Sequence, residues 1–261
     1  QKRNIVTCQA PIDPIFSLHE LRDVFTQPMM EWCASNNYVE PTTVQAQTLS
    51  VALCGEDAMI TASTGSGKTL GYLWPMTAHL HHNRGIKARG VVLVPTRELA
   101  AQVASVAKGL GRALKLNSMA ITGGNMGRYQ LSQELAKLKP TIVIATPGRL
   151  LDVLSVNKNK EAISLHQVTF VVLDEADKML QMGFSNQVTE LLKNIRPDRQ
   201  TLMLSATMGK KIEAVAQQWL TRPVRISVGR TGTSSVNVDQ HVMVLPDFES
   251  KVKFLVQSLG T

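Results

Sequence analysis

Ala62-Ser63-Thr64-Gly65-Ser66-Gly67-Lys68-Thr69 decides how this chain is read. It follows a short apolar run at 58–62 (AMITA) and opens a stretch with helical spacing. Strand, glycine-rich loop and helix, in that order, make a P-loop. Gly65 and Gly67 let the backbone bend so that the N–H groups of the 63–67 loop, with Ser63, Thr64 and Ser66, converge on phosphate oxygens. The helix N-terminus adds partial positive charge. Lys68 has the reach for the β- and γ-phosphates, and the Thr69 hydroxyl is a ligand for Mg²⁺. Ala62 stands where the pattern usually has its first glycine. A glycine-rich turn before a helix is the competing reading, and it leaves the Lys68-Thr69 pair unexplained.

About a hundred residues on, the apolar run 170–173 (FVVL) ends in Asp174-Glu175-Ala176-Asp177. A buried strand tipped by adjacent carboxylates is the Walker B arrangement. Asp174 is placed to hold Mg²⁺ opposite Thr69, and Glu175 to orient or deprotonate the attacking water. Two carboxylates this close repel unless a cation is near, so Mg²⁺ is expected on electrostatic grounds. Taken alone, the same residues also read as a solvated strand end with Asp177 capping a helix.

Further near-continuous apolar runs lie at 91–94, 118–121, 141–145 and 201–204. Such runs suit strands buried on both faces of a parallel sheet. Segments with three- and four-residue apolar spacing, 98–114 and 210–220 among them, alternate with these runs. The predicted fold class is therefore α/β, a mostly parallel doubly wound sheet with helices on both faces. In such sheets the ligand lies beyond the carboxyl ends of the strands, where the motifs fall.

Composition sets outer bounds. The chain has 261 residues, 44% hydrophobic and 18% charged, with a net charge of +8, enough for one large core and suited to a polyanionic partner. No run reaches the roughly 18–20 apolar residues that span a bilayer, and no signal peptide is visible, so no membrane partner is expected. Cys8, Cys33 and Cys54 form no CxxC pair and read as free thiols, with Cys54 in packing. His79, His81 and His82 read as a helix end, where imidazoles complement the dipole. The run 157–161 (NKNKE) reads as an exposed loop.

With these motifs placed, the sequence resembles the DEAD-box family of RNA helicases. Asp174-Glu175-Ala176-Asp177 spells the family's name motif. Tyr38 to Gln45 (YVEPTTVQ) resembles the Q motif, 62–69 motif I, and Pro95-Thr96-Arg97-Glu98-Leu99-Ala100 motif Ia. Gly123-Gly124 resembles the GG element, Thr146-Pro147-Gly148-Arg149 motif Ib, and Ser205-Ala206-Thr207 motif III. The resemblance runs from about Phe16 to the end. Asn37-Tyr38 and Thr43-Val44 depart from the family's Gly-Phe and Pro-Ile, which puts the local adenine-pocket geometry in question.

The resemblance implies a RecA-like P-loop domain that binds ATP and Mg²⁺. Gln45 would read the adenine edge, with a helix-start role as the structural alternative. An upstream aromatic would stack on the base, with Phe16 preferred and Phe25 the alternative. RNA would lie along Pro95, Thr96, Arg97, Gly123, Gly124, Thr146, Pro147, Gly148 and Arg149, read by its backbone and 2′-OH rather than its bases. Arg97 and Arg149 have an alternative as ion-pair partners of Glu98 and Asp152. Asp177, Ser205 and Thr207 would couple hydrolysis to domain closure, against a static strand-end cap as the alternative.

The expected organisation is an N-terminal extension and Q-motif lead-in over 1–36, a RecA-like ATP-binding domain over 37–228, a linker over 229–235, and the start of a truncated second RecA-like domain over 236–261. In that last part a strand is expected at 239–245 and a helix at 251–259. A chain opening on Gln1 and stopping after a helical pattern reads as a piece of a longer protein. The family's second half supplies arginines to the transition state. Arg230, the one arginine of the tail, is ill placed for that role, so little hydrolysis is expected of this chain alone.

The implied activity is RNA-dependent ATP hydrolysis that unwinds or remodels RNA or RNA–protein complexes. An ATP-gated RNA clamp with little turnover is the alternative. The stretch 149–199 resembles members that remodel the spliceosome at branch-site selection, which implies spliceosomal partners and a nuclear location. Ribosome-assembly and mRNA-export members share much of that stretch, and a cytoplasmic location stays open with them.

Overall fold

The computed structural model describes residues 6–8, 12–87, 89–124, 126–156, 164–229 and 243–259. They belong to two compact units, Gln1–Thr231 and Gly232–Thr261. The first unit is built on one eight-stranded sheet. Its strands are β1 (Val6–Cys8), β2 (Ala58–Ala62), β3 (Arg89–Leu93), β4 (Ser118–Ile121), β5 (Ile142–Ala145), β6 (Val168–Leu173), β7 (Gln200–Ser205) and β8 (Val224–Val228). The order is β1-β8-β2-β7-β6-β3-β5-β4. All neighbours run parallel except β1, which pairs antiparallel with β8.

The helices of this unit are α1 (Gln27–Ser35), α2 (Thr43–Leu53), α3 (Lys68–His82), α4 (Arg97–Leu114), α5 (Arg128–Leu138), α6 (Pro147–Val156), α7 (Ala176–Gln181), α8 (Ser185–Asn194) and α9 (Lys210–Trp219). Two cores flank the sheet. One takes Ile60, Val92, Ile144, Phe170, Val172, Leu202 and Leu204 together with residues of α1 to α4. The other takes Met59, Val91, Val143, Val171 and Met203 with residues of α5 to α9. Alternate residues of one strand thus serve opposite cores, which is why the strands read as unbroken apolar runs.

From β2 through β3 to β4 the chain moves toward one sheet edge with its helices on the first face. From β4 back through β5, β6, β7 and β8 the helices lie on the second face. Direction and face reverse together, as right-handed crossovers require. The mostly parallel doubly wound sheet expected from the sequence is therefore the fold observed.

β8 was not anticipated. Its sequence, VRISV, is only partly buried at four of five positions, so it lacks the long apolar run that marks the central strands. Asp57, beside β2, stitches this side of the sheet: its two oxygens accept from the N–H groups of Thr201 at 2.6 Å and Thr221 at 2.7 Å. Burial pushes its carboxyl above the usual value.

Cys54 caps the end of α2 and is exposed, not packed as expected, while Cys33 is buried and its thiol is pushed up to about 11 by burial. The histidine cluster does close α3. His79 Nε2 pairs with Thr169 Oγ1 at 2.9 Å, and His82 Nδ1 lies 2.8 Å from the Ala78 carbonyl.

In the second unit, α10 (Phe248–Leu259) covers the helix expected at 251–259. Residues 243–245 take no regular structure, in contrast to the strand expected there. The remainder of that strand, the 157–161 run, and all of the expected linker beyond Gly229 lie outside the described residues.

Candidate active site

Strand order sorts the motifs along one edge of the sheet. The carboxyl ends of adjacent β2, β7 and β6 lead into the 63–67 loop, Ser205-Ala206-Thr207 and Asp174–Asp177. The ends of adjacent β3, β5 and β4 lead into Pro95-Thr96-Arg97, Thr146–Arg149 and Gly123-Gly124. Residues far apart in sequence thus form two neighbouring groups, one suited to nucleotide and one to a second anionic ligand.

In the first group, Gly65 and Gly67 take positive φ of 76° and 92°, which wraps the loop around the start of α3. Ser63, Thr64 and Gly65 are exposed, and a Cβ at Gly65 would meet nothing within 4 Å, so the loop's outer face is open. Ser66 Oγ donates to the Ser63 carbonyl across the turn. The start of α2 holds the loop from behind. Thr42 Oγ1 donates to the Ser66 carbonyl at 2.9 Å, and Gln45 Nε2 donates to the Gly67 carbonyl at 2.9 Å. Gln45 Oε1 accepts from the Thr42 N–H at 2.8 Å, which completes a capping box. The structural alternative for Gln45 is thus realised, and the same amide also reaches the phosphate loop.

Lys68 is buried, and its Nζ donates to the Ala62 carbonyl at 2.7 Å. Burial lowers its pKa, while the charges of Asp174 first, then Asp177 and Glu175, act to raise it. Asp174, 3% exposed, shows the mirror effect: burial raises its pKa, while the Tyr72 hydroxyl and the Lys68 charge act to lower it. Each group is desolvated beyond what the other compensates. Each therefore gains from a further counter-charge, an anion for the ammonium and a cation for the carboxylate.

The donor set fits Mg²⁺ bound beside a phosphate. It offers hard oxygens, the Thr69 hydroxyl and the Asp174 carboxylate, next to an open loop of N–H groups. Among the described residues no group of three or more His, Cys, Asp or Glu gathers into an all-protein cage. Mg²⁺ usually takes one or two carboxylates and completes its shell with water and phosphate.

Glu175 follows in the left-handed region, φ 53° and ψ 49°, and its carboxylate pairs with Lys178 Nζ at 3.0 Å. Asp177 faces the end of β7. Its Oδ2 accepts from the N–H groups of Ala206 (3.2 Å) and Thr207 (3.1 Å) and from Thr207 Oγ1 (3.1 Å). Ser205 Oγ donates to the Thr207 carbonyl at 2.7 Å. The three expected coupling residues are therefore one hydrogen-bonded cluster.

A cleft of about 520 Å³ opens beside the loop, lined by Tyr38, Thr42, Gln45, Gly65, Ser66 and Thr69 among others. Phe16 is 71% exposed, its N–H bonded to Glu20, and it does not line that cleft. Phe25, the alternative stacking residue, is 2% exposed and packs toward Trp74 with ring centroids 6.5 Å apart. Its ring is core and has no face to offer a base.

In the second group, Thr96 caps α4 by accepting the Leu99 N–H at 3.2 Å, and Arg97 is exposed beside it. The Arg97 guanidinium lies against Gly123, where a Cβ would collide with it. Arg149 donates to the Met126 carbonyl at 2.6 Å, so motif Ib and the loop after the glycine pair are joined. Ion pairs with Glu98 or Asp152 are not formed among the described residues. Thr146, Gly148 and Gly124 reach the surface in part or fully, while the rings of Pro95 and Pro147 are buried and shape the turns.

Known proteins resemble this chain in sequence and in fold. Residues 42–215 match the DEAD/DEAH box helicase family. The chain belongs to that family. A probable ATP-dependent RNA helicase, DDX46, of Danio rerio is 40% identical over 231 residues, 86% of this chain and 22% of the relative. DEAD-box ATP-dependent RNA helicase 24 of Oryza sativa is 40% identical over 239 residues, 90% of this chain and 30% of the relative.

Among solved structures, the yeast DEAD-box splicing factor Prp28 superposes with a TM-score of 0.76 at 27% identity, covering 98% of this chain and 61% of that one. A hypothetical ATP-dependent RNA helicase from Sulfolobus tokodaii gives 0.67 at 31% identity, covering 78% and 57%. This DEAD/DEAH box chain thus has the RecA-like fold and spans less than a third of the curated relatives named.

Tyr72 and Thr42 were missed from sequence as site residues. Tyr72 Oη donates to Asp174 Oδ2 at 3.0 Å across a sequence separation of 102 residues. Its spacing from Lys68 and Thr69, four and three residues on one helix, was the available signal.

Proposed function

We propose that this chain is the ATP- and Mg²⁺-binding half of an RNA-dependent ATPase that unwinds or remodels RNA or RNA–protein complexes. The observation that carries this reading is the convergence of Lys68, Thr69 and Asp174 behind an open phosphate loop. The 63–67 loop and Lys68 bind the phosphates, Gln45 and Phe16 serve the adenine, and Thr69 and Asp174 hold Mg²⁺, which neutralises phosphate charge when bound. Glu175 orients the attacking water and accepts its proton. Arg97, Arg149, Thr96, Thr146, the exposed Gly124 and the partly exposed Gly148 bind the RNA backbone, and Pro95, Pro147 and Gly123 shape that surface. The cluster of Asp177, Ser205 and Thr207 relays closure against a second RecA-like domain.

The resemblance to a splicing factor supports a role in pre-mRNA splicing, with spliceosomal partners and a nuclear location. No helix among the described residues is long and apolar enough to cross a membrane.

Phosphate release by the whole protein, with and without single-stranded RNA, tests the reading. RNA-stimulated hydrolysis should be lost on Lys68→Ala and on Glu175→Gln. Normal turnover in both variants overturns the assignment.

A further inference from the structure

We infer that Tyr72 is a positioning residue for the Mg²⁺ carboxylate, a role that rests on the nucleotide-site reading above. Tyr72 lies on α3 one turn beyond Lys68 and Thr69, so all three side chains share the helix face turned toward the tip of β6. Its ring is fully buried, and its hydroxyl donates to Asp174 Oδ2 at 3.0 Å. The Thr69 hydroxyl also acts on the same Tyr72 hydroxyl.

Among the described residues, the other hydrogen bond to the Asp174 carboxylate is local. Its Oδ1 accepts the N–H of the next residue, Glu175, at 2.9 Å. That bond ties the carboxylate to the backbone of its own strand end and does not reach across to α3. The Tyr72 bond supplies the missing fix and comes from the helix that carries the phosphate loop. A carboxylate offers about four lone-pair sites. With two taken by these donors, the remaining two are left for a cation in a site where the Lys68 charge already acts on the carboxylate.

The arrangement is a brace between the two halves of the nucleotide site. Phosphate-binding and metal-binding residues stand on different elements, α3 and β6, and the Tyr72–Asp174 bond is a direct side-chain tie between them. A purely packing role for the ring predicts that phenylalanine would serve equally well. A positioning role predicts that the hydroxyl matters, and only where the carboxylate is used.

The test titrates a fluorescent ADP analogue into the whole chain, once with Mg²⁺ and once with EDTA, and takes the ratio of the two affinities. It is run for wild type, Tyr72→Phe, Asp174→Asn and the double variant. The hydroxyl bonds a charged group, so its loss should cut the Mg²⁺-dependent gain about tenfold or more. In the Asp174→Asn background the same substitution should change the ratio little, because the carboxylate it orients is gone.

An unchanged ratio in folded Tyr72→Phe overturns the inference, as does an equal loss with and without the Asp174 carboxylate. Unfolding midpoints identify a variant that has lost its fold. Should Tyr72→Phe not fold, the ring's hydroxyl is structural and the inference falls. A wild-type chain without any Mg²⁺-dependent gain refutes the nucleotide site itself, and the tyrosine's role with it.

Discussion

Gln45 and Gly67 are joined by a 2.9 Å hydrogen bond from the side-chain amide to the loop carbonyl, while the same amide's oxygen caps α2 through the Thr42 N–H. One side chain thus connects a helix start to the phosphate loop. A Cβ at Gly67 would sit 2.7 Å from Gln45 Nε2, so the contact also requires glycine at that position.

Two substitutions separate these roles. Gln45→Ala removes both bonds and should cost about 1–2 kcal/mol, the usual range for a lost cap. Gln45→Glu keeps an acceptor for the Thr42 N–H and loses the donor to Gly67. It should keep the cap but lose stability from the carboxylate oxygen left against the Gly67 carbonyl in a buried site. It should also bind nucleotide more weakly than Gln45→Ala, since it sets a negative charge beside the phosphates. Urea unfolding and nucleotide titration on the same samples read both effects.

Asp177 accepts three hydrogen bonds from the end of β7 through one oxygen. Asp177→Ala leaves the Ala206 and Thr207 N–H groups without that acceptor and should destabilise by about 2–4 kcal/mol. Asp177→Asn keeps one acceptor oxygen and should cost clearly less. Denaturant midpoints at constant m-value distinguish the two.

The Asp57 carboxyl predicts a pH dependence. Its folded pKa is raised above the ordinary value, chiefly by burial, with the Thr221 and Thr201 N–H groups opposing. A carboxyl raised in the folded state binds protons more tightly there. Its contribution to stability is complete below the unfolded value and falls as pH rises through the folded one. Asp57→Asn cannot accept both N–H groups and should cost about 1–3 kcal/mol. The gap between wild type and variant should be widest near pH 4 and narrow toward pH 7. Unfolding free energies across that range measure it, and a gap that widens with pH contradicts the assignment.

Gly123 keeps clear the space that the Arg97 guanidinium occupies. The atoms a Cβ would strike are the far end of a flexible side chain. Gly123→Ala should therefore change stability by no more than about 0.5 kcal/mol while displacing the guanidinium. Affinity for single-stranded RNA should fall, and the slope of log affinity against log salt should shrink by about 0.7, the value for one lost phosphate contact. Gly111 is the contrast, because there a Cβ would sit 2.6 Å from the Leu116 carbonyl and the backbone itself must move.

How much was legible in the sequence varied with the physics of each element. The central strands were readable because burial on both faces demands an unbroken apolar run, as in FVVL at 170–173. β8 was not, because partial burial relaxes that demand. The phosphate loop and acidic strand tip were readable as motifs expected to face each other, and the strand order that sets β2 and β6 on either side of β7 is what brings them together. Tyr72 looked like any core aromatic. Its function lies in one hydroxyl pointing at a carboxylate 102 residues away. Phe16, preferred from the sequence, and Phe25, its alternative, differ sharply in burial, 71% against 2% exposure.

A crystal structure of the chain with ADP and Mg²⁺ tests the central claim most directly. The β-phosphate should lie on the N–H groups at the start of α3, with Lys68 Nζ moved from the Ala62 carbonyl to phosphate oxygen and the metal between Thr69 and Asp174. Nucleotide bound elsewhere, or Lys68 still on Ala62 with the phosphates in place, contradicts it.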